Sequence, residues 1–388
     1  MKNDLEKLRY LVKKRKKSVL NKIIDFFKKS SFNAYLVGGV VRDALLNTAT
    51  NDIDITIEGD AIKAGYELNR ILRGKIEVHK DFGTVTISKD KTRIDIAMAR
   101  KETYPKPGSL PLVSPSDIYD DLKRRDFTIN AIALAISKEN FGEVFDPFNG
   151  INDIKKKLIR VLHDKSFIED PTRILRALRY KNRLNFKLDK HTEKLLMIGS
   201  SCKVVKNVSK QRILQELRLI FEEKEWLNIL KDINKYKLLE FDMERLKNLR
   251  KIPDLKYYYF LSLMKEDFPL SNQETKIIND FKKLDNIRRD IQSTKRNSQL
   301  YYLLINIDEK VVKTISALYP GLSYKIKKFY ALKKIKPLIS GEDLKKMNIQ
   351  PGPVFKELLN GIHKMQLDRK IKNRKQIKEI LQKWVNVS

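Results

Sequence analysis

The sequence predicts a small α/β domain with a mixed sheet from about residue 33 to 136, followed from about residue 150 by a chain that is helical throughout. Three observations predict it. Short β-branched runs alternate with helical stretches in the first part, apolar residues recur at helical spacing in the second, and the chain has 388 residues. Single cores stop growing near roughly 250 to 300 residues, so two to four domains are expected.

The strand candidates are Ala34 to Val37, Ile53 to Ile57, Thr84 to Ser88 and Arg93 to Ala97. Beyond residue 150 the pattern changes to Ile174, Leu175, Leu178 and, far downstream, Leu344, Met347, Ile349, with few glycines and many lysines. Turn residues interrupt the periodicity at Asn149-Gly150, near Pro253, and from Lys336-Pro337 to Gly341. Five segments are expected: a basic N-terminal helix 1–32, the α/β part 33–149, and helical segments 150–252, 253–336 and 337–388. No internal repeat or low-complexity tract stands out.

Lys plus Arg number 81 and Asp plus Glu 49, a formal charge of +32 spread along the chain. Such an excess repels itself unless a polyanion neutralises it, and nucleic acid is the commonest one; high solubility or a lysine-rich proteome is the competing explanation. No apolar run approaches the roughly 20 residues of a spanning helix, so no membrane partner is expected. The cluster Lys13 to Lys17 suits either a targeting address or a solvated helix face beside an RNA. A single cysteine, Cys202, and four scattered histidines give neither an intramolecular disulfide nor zinc spacing, and a reducing, cytoplasmic setting is expected.

Chemistry concentrates in four stretches. Tyr35-Leu36-Val37-Gly38-Gly39-Val40-Val41-Arg42 runs from a short apolar strand through two glycines into a helical pattern. Glycines there let backbone amides and Arg42 approach phosphate oxygens, or serve only a tight strand-to-helix turn. Asn51-Asp52-Ile53-Asp54-Ile55 then places two carboxylates on one face of a strand and isoleucines on the other. Like charges that close call for a cation, and hard oxygen ligands suit Mg²⁺ carried in with a triphosphate. Asp95, on another strand, offers a third metal ligand, a base for an attacking hydroxyl, or a salt bridge to Arg93 or Arg100. The stretch Lys123-Arg124-Arg125-Asp126 to Asn130 supplies arginines that clamp phosphates or merely add surface charge. Finally, Glu169-Asp170-Pro171-Thr172-Arg173 to Arg179 is a helix start with Asp170 at the N-cap and Pro171 at the first helical position. Its arginines, Arg173, Arg176 and Arg179, drift around one side because each three-residue step turns about 300°. One carboxylate and one arginine can also read a free nucleotide's Watson-Crick edge.

In this order, GGVVRD, DID, RRDFTINA, DPFNGINDIKKKLIRVLH and EDPTRILRALRY resemble the class II tRNA nucleotidyltransferase and poly(A) polymerase family over about residues 33 to 186. The stretch Ile339 to Leu367 looks like that family's tail. The resemblance implies a DNA-polymerase-β-like catalytic head, with all-α neck (150–252), body (253–336) and tRNA-binding tail (337–388). It implies that Gly39 and Arg42 hold the triphosphate, Asp52 and Asp54 bind Mg²⁺ as the catalytic pair, and Arg125 contacts the nucleotide. Asp170 and Arg173 would select C or A, with Arg176 and Arg179 supporting the phosphate side. A loop like the family's flexible element runs from Arg100 through Glu102, Tyr104, Pro107 and Pro111, an element that enzymes adding only the two cytidines typically lack. Two departures stand out: Arg369 occupies a position where the family's tail usually has glycine, and the His-Asp hydrolase domain of some members is absent.

The expected reaction is stepwise addition of C, C and A, from CTP and ATP, to the 3′ end of tRNA with release of pyrophosphate. Phosphate and 2′-hydroxyl contacts to the acceptor and TΨC arms would give a shape readout, without an obligate protein partner. Addition of A alone and poly(A) synthesis share these motifs. A small-molecule nucleotidyltransferase has no need of +32 charge, and a non-enzymatic scaffold has no use for clustered carboxylates.

Overall fold

The computed structural model describes residues 19–48, 50, 52–346, 349 and 352–385. The basic cluster Lys13 to Lys17, Asn51, Met347 and Pro351 lie outside the described residues. The chain divides into two compact units, Met1–Leu239 and Glu240–Ser388.

The first unit opens with helix α1 (Val19–Lys29), whose Ile23, Ile24 and Phe27 are buried. Strand β1 (Asn33–Val37) leads through Gly38 into the short helix α2 (Gly39–Leu45), and β2 (Asp52–Glu58) follows. Helix α3 (Ala61–Leu72) starts where the Asp60 side chain accepts from the Lys63 N–H at 2.9 Å. Then come β3 (Lys75–His79), β4 (Thr84–Lys89), β5 (Thr92–Met98) and a hairpin of β6 (Arg100–Thr103) with β7 (Leu112–Pro115). Helix α4 (Ile118–Lys123), β8 (Ala133–Ala135), β9 (Val144–Phe145) and α5 (Gly150–Lys156) complete this part.

Seven strands form one sheet in the order β3-β4-β5-β2-β1-β8-β9. Only β2 and β5 pair in parallel, which makes the sheet mixed and sets Asp54 beside Asp95 in register. Ile53, Ile55 and Ile57 of β2 are buried, as are Ile94 and Ile96 of β5 and Leu68 of α3. Burial of that apolar face anchors the two strands, contributing about 2 kcal/mol per isoleucine, and so fixes which face carries the carboxylates.

After a two-residue parallel pair, β10 (Leu158–Ile159) with β11 (Lys187–Leu188), the first unit is helical. The main helices here are α6 (Ser166–Glu169), α7 (Thr172–Arg183), α8 (Lys190–Ser201), α9 (Lys210–Glu222) and α10 (Trp226–Lys235), of which α7 and α9 bear site residues. Helix α7 begins one residue later than the sequence suggests: Pro171 is its cap, and Asp170 is extended (φ −130°) with its carboxylate accepting from the Thr172 N–H at 3.1 Å.

The second unit is helical among its described residues: α11 (Lys256–Leu263), α12 (Asn272–Lys282), α13 (Leu284–Ser293), α14 (Asn297–Leu304), α15 (Glu309–Leu318), α16 (Ser323–Lys333), α17 (Gly341–Lys345), α18 (Pro353–Leu367) and α19 (Arg374–Val385). Tyr259 and Phe260 are buried, so half of the aromatic run at 257–260 serves packing. Arg369, just past α18, has φ 60°, and the Lys370 N–H closes the helix end by donating to the Met365 carbonyl at 2.8 Å. A left-handed residue is needed there, which accounts for glycine being the usual occupant in the resembled family. No helix among the described residues is long and apolar enough to cross a membrane.

Candidate active site

Strand period places Asp52, Asp54 and Thr56 on the face of β2 opposite its isoleucines. Asp52 is exposed and Asp54 half-buried. Asp95, next to Asp54, is engaged at both oxygens, by Thr86 Oγ1 at 2.5 Å and Arg93 Nε at 2.9 Å. Burial pushes the Asp54 carboxyl above the usual carboxylate range, the charges of Asp95 and Asp52 push the same way, and Arg125 opposes them. A carboxylate so placed is relieved by a divalent cation. Among the described residues no three His, Cys, Asp or Glu side chains form a metal-binding group. What the site does offer is the pair of hard carboxylates on one strand face, Asp52 and Asp54, the donor type that suits Mg²⁺.

The turn before α2 brings backbone to the same place. Gly38 has φ 68° and ψ −126°, and a Cβ there would stand 2.9 Å from Arg125 Nη1 and 3.6 Å from Asp54 Oδ2. The conformation favours glycine at 38, and a side chain there would displace the Arg125 guanidinium. At Gly39 a Cβ would meet only Arg42 Nη2, at 3.6 Å. Arg42 itself is buried behind the turn, donating to Asp43 Oδ1 at 2.8 Å and to Asn130 Oδ1 at 2.6 Å.

Gly38, Gly39, Asp54 and Arg125 line one side of a cavity of about 430 Å³, and Asp170, Arg173 and Arg176 line the other. The arginine pair is aimed by Asp121 on α4, a fully buried carboxylate that binds Arg124 Nη2 at 2.6 Å and Arg125 Nη2 at 2.9 Å. Burial works against this charge, yet Arg125 and Arg124 hold the Asp121 carboxyl below its ordinary value. Arg124 also reaches Glu102 of β6 at 3.0 Å. Asp126 accepts from Arg176 Nη2 at 2.7 Å and from Asn130 at 2.9 Å, and against the effect of burial those partners hold it down to about 2.

Across the cavity Asp170 Oδ1 accepts from Thr172 Oγ1 at 2.6 Å and from Arg212 Nη2 of α9 at 2.7 Å. Oδ2 has no hydrogen-bond partner among the described residues. Arg173 donates to Ser166 Oγ at 2.9 Å, to the Arg124 carbonyl at 2.7 Å and to Tyr104 Oη at 3.4 Å. The β6–β7 loop closes this end: the Gly108 N–H donates to the Glu169 carbonyl at 3.1 Å, and Arg212 Nη1 donates to the Gly108 carbonyl at 3.2 Å.

The arginines of α7 fan away from the cavity. Arg173 lies at its end, Arg176 at its side on Asp126, and Arg179 is buried between Glu216 (3.4 Å) and Glu223 (3.5 Å). Arg179 and Asp52 line a second hollow of about 590 Å³ instead. Of the nine expected residues six line the first cavity, Gly39, Asp54, Arg125, Asp170, Arg173 and Arg176; Arg42 packs behind its turn, and Asp52 and Arg179 face the second hollow.

Sequence reasoning passed over Asp121, Arg212, Glu216 and Tyr180, whereas the φ of 68° at Gly38 agrees with the tight strand-to-helix turn it read there. Asp121 was findable, because it stands three and four residues before Arg124 and Arg125 on a helical pattern. Tyr180 was hidden within the EDPTRILRALRY stretch, although three guanidiniums pack on its ring, those of Arg42, Arg176 and Arg179 at 5.1 to 5.7 Å.

Residues 34–160 match the poly(A) polymerase head domain. The A-adding tRNA nucleotidyltransferase of Aquifex aeolicus is 38% identical over 82% of this chain and 43% of its own, so this chain spans less than half of that relative's length. The enzyme of the same name from Halalkalibacterium halodurans is 30% identical over 95% of this chain and 92% of its own. A solved CCA-adding enzyme in an apo form superposes with a TM-score of 0.77 at 29% identity, covering 97% of this chain and 98% of that one. The Thermotoga maritima CCA-adding enzyme complexed with tRNA gives 0.69 at 29% identity over 98% of each chain. Enzymes of this group generally use divalent metal ions, and the chain belongs to the tRNA nucleotidyltransferase family.

Proposed function

We propose that this chain transfers AMP from ATP to the 3′ end of a CC-ended tRNA and releases pyrophosphate. The observation that carries the reading is the single cavity joining the Gly38 turn and Asp54 to Asp170 and Arg173. In the reaction the RNA 3′-hydroxyl attacks the α-phosphorus in line, a new P–O bond forms as the α–β P–O bond breaks to release pyrophosphate, and the hydroxyl proton passes to solvent water. Asp52 and Asp54 would hold Mg²⁺, which when bound lowers the pKa of the attacking hydroxyl and neutralises phosphate charge. The Gly38-Gly39 turn admits the triphosphate close to backbone, and Arg125, aimed by Asp121, meets its charge. Asp95, in register with Asp54 on the neighbouring strand, is held by Thr86 and Arg93. Arg42 fixes the turn through Asn130, while Arg176 and Arg179 hold the cavity wall through Asp126 and Glu216.

Asp170 Oδ2 suits an exocyclic amine and the Arg173 edge a ring acceptor, a pairing that adenine and cytosine both offer and uracil and guanine do not. The helical segments, read as neck (150–252), body (253–336) and tail (337–388), would grip tRNA through phosphates and 2′-hydroxyls in a cytoplasmic setting. Complexes of solved relatives with tRNA, with ATP and with CTP support these partners. Addition of A alone is favoured by the two A-adding relatives described above. A second reading, complete CCA addition from CTP and ATP, is favoured by the CCA-adding structures that align over nearly the whole chain.

The experiment uses three tRNA transcripts, ending before CCA, after C and after CC, with Mg²⁺ and with CTP and ATP singly and together. Extension of the CC-ended transcript alone supports terminal-A addition, and extension of all three to CCA supports the second reading. Long A tails, or no extension at all, contradict both.

A further inference from the structure

Tyr180 of α7 lines the nucleotide cavity, and its ring carries three guanidiniums. Arg42 and Arg179 lie over it at 5.1 Å from the ring centre and Arg176 at 5.7 Å. Arg176 and Arg179 belong to the same helix as the ring, but Arg42 comes from α2, behind the Gly38-Gly39 turn. Hydrogen bonds join the same two helices by a second route. Arg42 donates to Asn130 Oδ1 at 2.6 Å, Asn130 donates to Asp126 Oδ1 at 2.9 Å, and Asp126 Oδ2 accepts from Arg176 Nη2 at 2.7 Å. The circuit Arg42, Asn130, Asp126, Arg176 closes on itself only through the Tyr180 ring.

A cation over an aromatic face is attracted by the ring quadrupole, more strongly where water is excluded, and Arg42 and Arg179 are both buried. Three cations around one point repel each other, and an aliphatic side chain of similar bulk would fill the space without offsetting that repulsion. Phe127 meets the ring edge-on at 5.8 Å, which fixes the plane the guanidiniums pack against. We propose that Tyr180 is a positioning residue for nucleotide selection: through Arg42 its ring holds the Gly38-Gly39 turn at a set distance from Asp170 and Arg173 at the start of α7. This rests on the transfer reading above. A triphosphate anchored at the turn presents its base edge to Asp170 and Arg173 only while that separation is kept. Loosening it deprives a matched base of its hydrogen bonds and takes nothing from a mismatched one, so discrimination falls.

The test measures ATP and GTP binding to the full chain with Mg²⁺ and without RNA, and separately the addition of each to CC-ended tRNA. Tyr180→Leu is expected to shrink the preference for ATP over GTP about tenfold, in the ratio of Kd values and in the ratio of kcat/KM values. Tyr180→Phe keeps the ring and is expected to stay within about twofold of the parent. Both ratios are independent of the fraction of folded chain, so a variant that is only destabilised leaves them unchanged. No preference for ATP in the parent, an unchanged ratio in Tyr180→Leu, or an equal loss in Tyr180→Phe overturns the proposal. A parent that adds nothing to tRNA, yet prefers ATP over GTP in binding and loses that preference in Tyr180→Leu, supports this role while sinking the transfer reading, so the two fail separately.

Discussion

The charges around the first unit's cavity and those of the second unit stand in opposite settings. In the first, acids and arginines are sunk together around the cavity: the Asp121 side chain is fully buried between two guanidiniums, and Asp126 is buried against Arg176. In the second, pairs such as Lys265–Glu240 and Lys313–Glu309 stand in solvent. Buried pairs lose hydration and recover it only through tight geometry, so they make stiff positioning devices. Exposed pairs are screened and exchange partners freely, which leaves lysines available to a polyanion. Around the first unit's cavity the charges fix one another's side chains, while these pairs of the second unit stay in water.

The contrast is sharpest at Asp54, whose charge is unfavourable until a cation arrives. Asp54→Asn is expected to cut nucleotide addition by about a thousandfold, since several kcal/mol of charge stabilisation go with it. Without metal the same variant should be more stable than the parent. A carboxyl raised in the folded state favours folding at pH below its unfolded value and loses that contribution as pH rises through the raised value, so the parent weakens across that window and the variant does not. Melting curves from pH 3 to 7 in a chelator check the sign.

Arg176→Ala comes next. It strands Asp126 in the interior and is expected to destabilise the first unit by about 3 kcal/mol, measured by urea unfolding. Asp126 is depressed to about 2, so its contribution is intact above the ordinary carboxylate range and fades as pH falls toward 2; the Arg176→Ala variant should lose this acid limb.

In the second unit the larger single-site effect lies in backbone. Arg369 holds φ 60°, and Arg369→Gly is expected to stabilise by about 1 kcal/mol, visible as a higher melting temperature. Last, Glu309→Ala removes two exposed pairs, with Lys313 and Lys333, and should leave the melting temperature unchanged. A large drop there would erase the contrast between the units.

Local spacing decides what the sequence reveals. Asp52 with Asp54, Gly38 with Gly39, and Asp170 with Arg173 are each local groups, so strand and helix periods show their shared faces while the family resemblance supplies their roles. The four strand candidates are all present, but β3, alternately half-exposed, and β8 and β9, three and two residues long, carry too little pattern to be seen. Arg212 lies 42 residues from the Asp170 it binds, and only the packing of α9 on α7 joins them. Asp52 and Asp54 look equivalent in sequence, and their division between two spaces depends on what covers each end of β2. Arg42 likewise has the spacing of a phosphate ligand, while Asp43 and Asn130 engage it behind the turn.

The most direct test of the acid pair is pyrophosphate release from ATP and Mg²⁺ with and without CC-ended tRNA, comparing the parent chain with Asp54→Asn. Release that requires tRNA and disappears in the variant is the predicted result; release that ignores tRNA, or survives in Asp54→Asn, would contradict it.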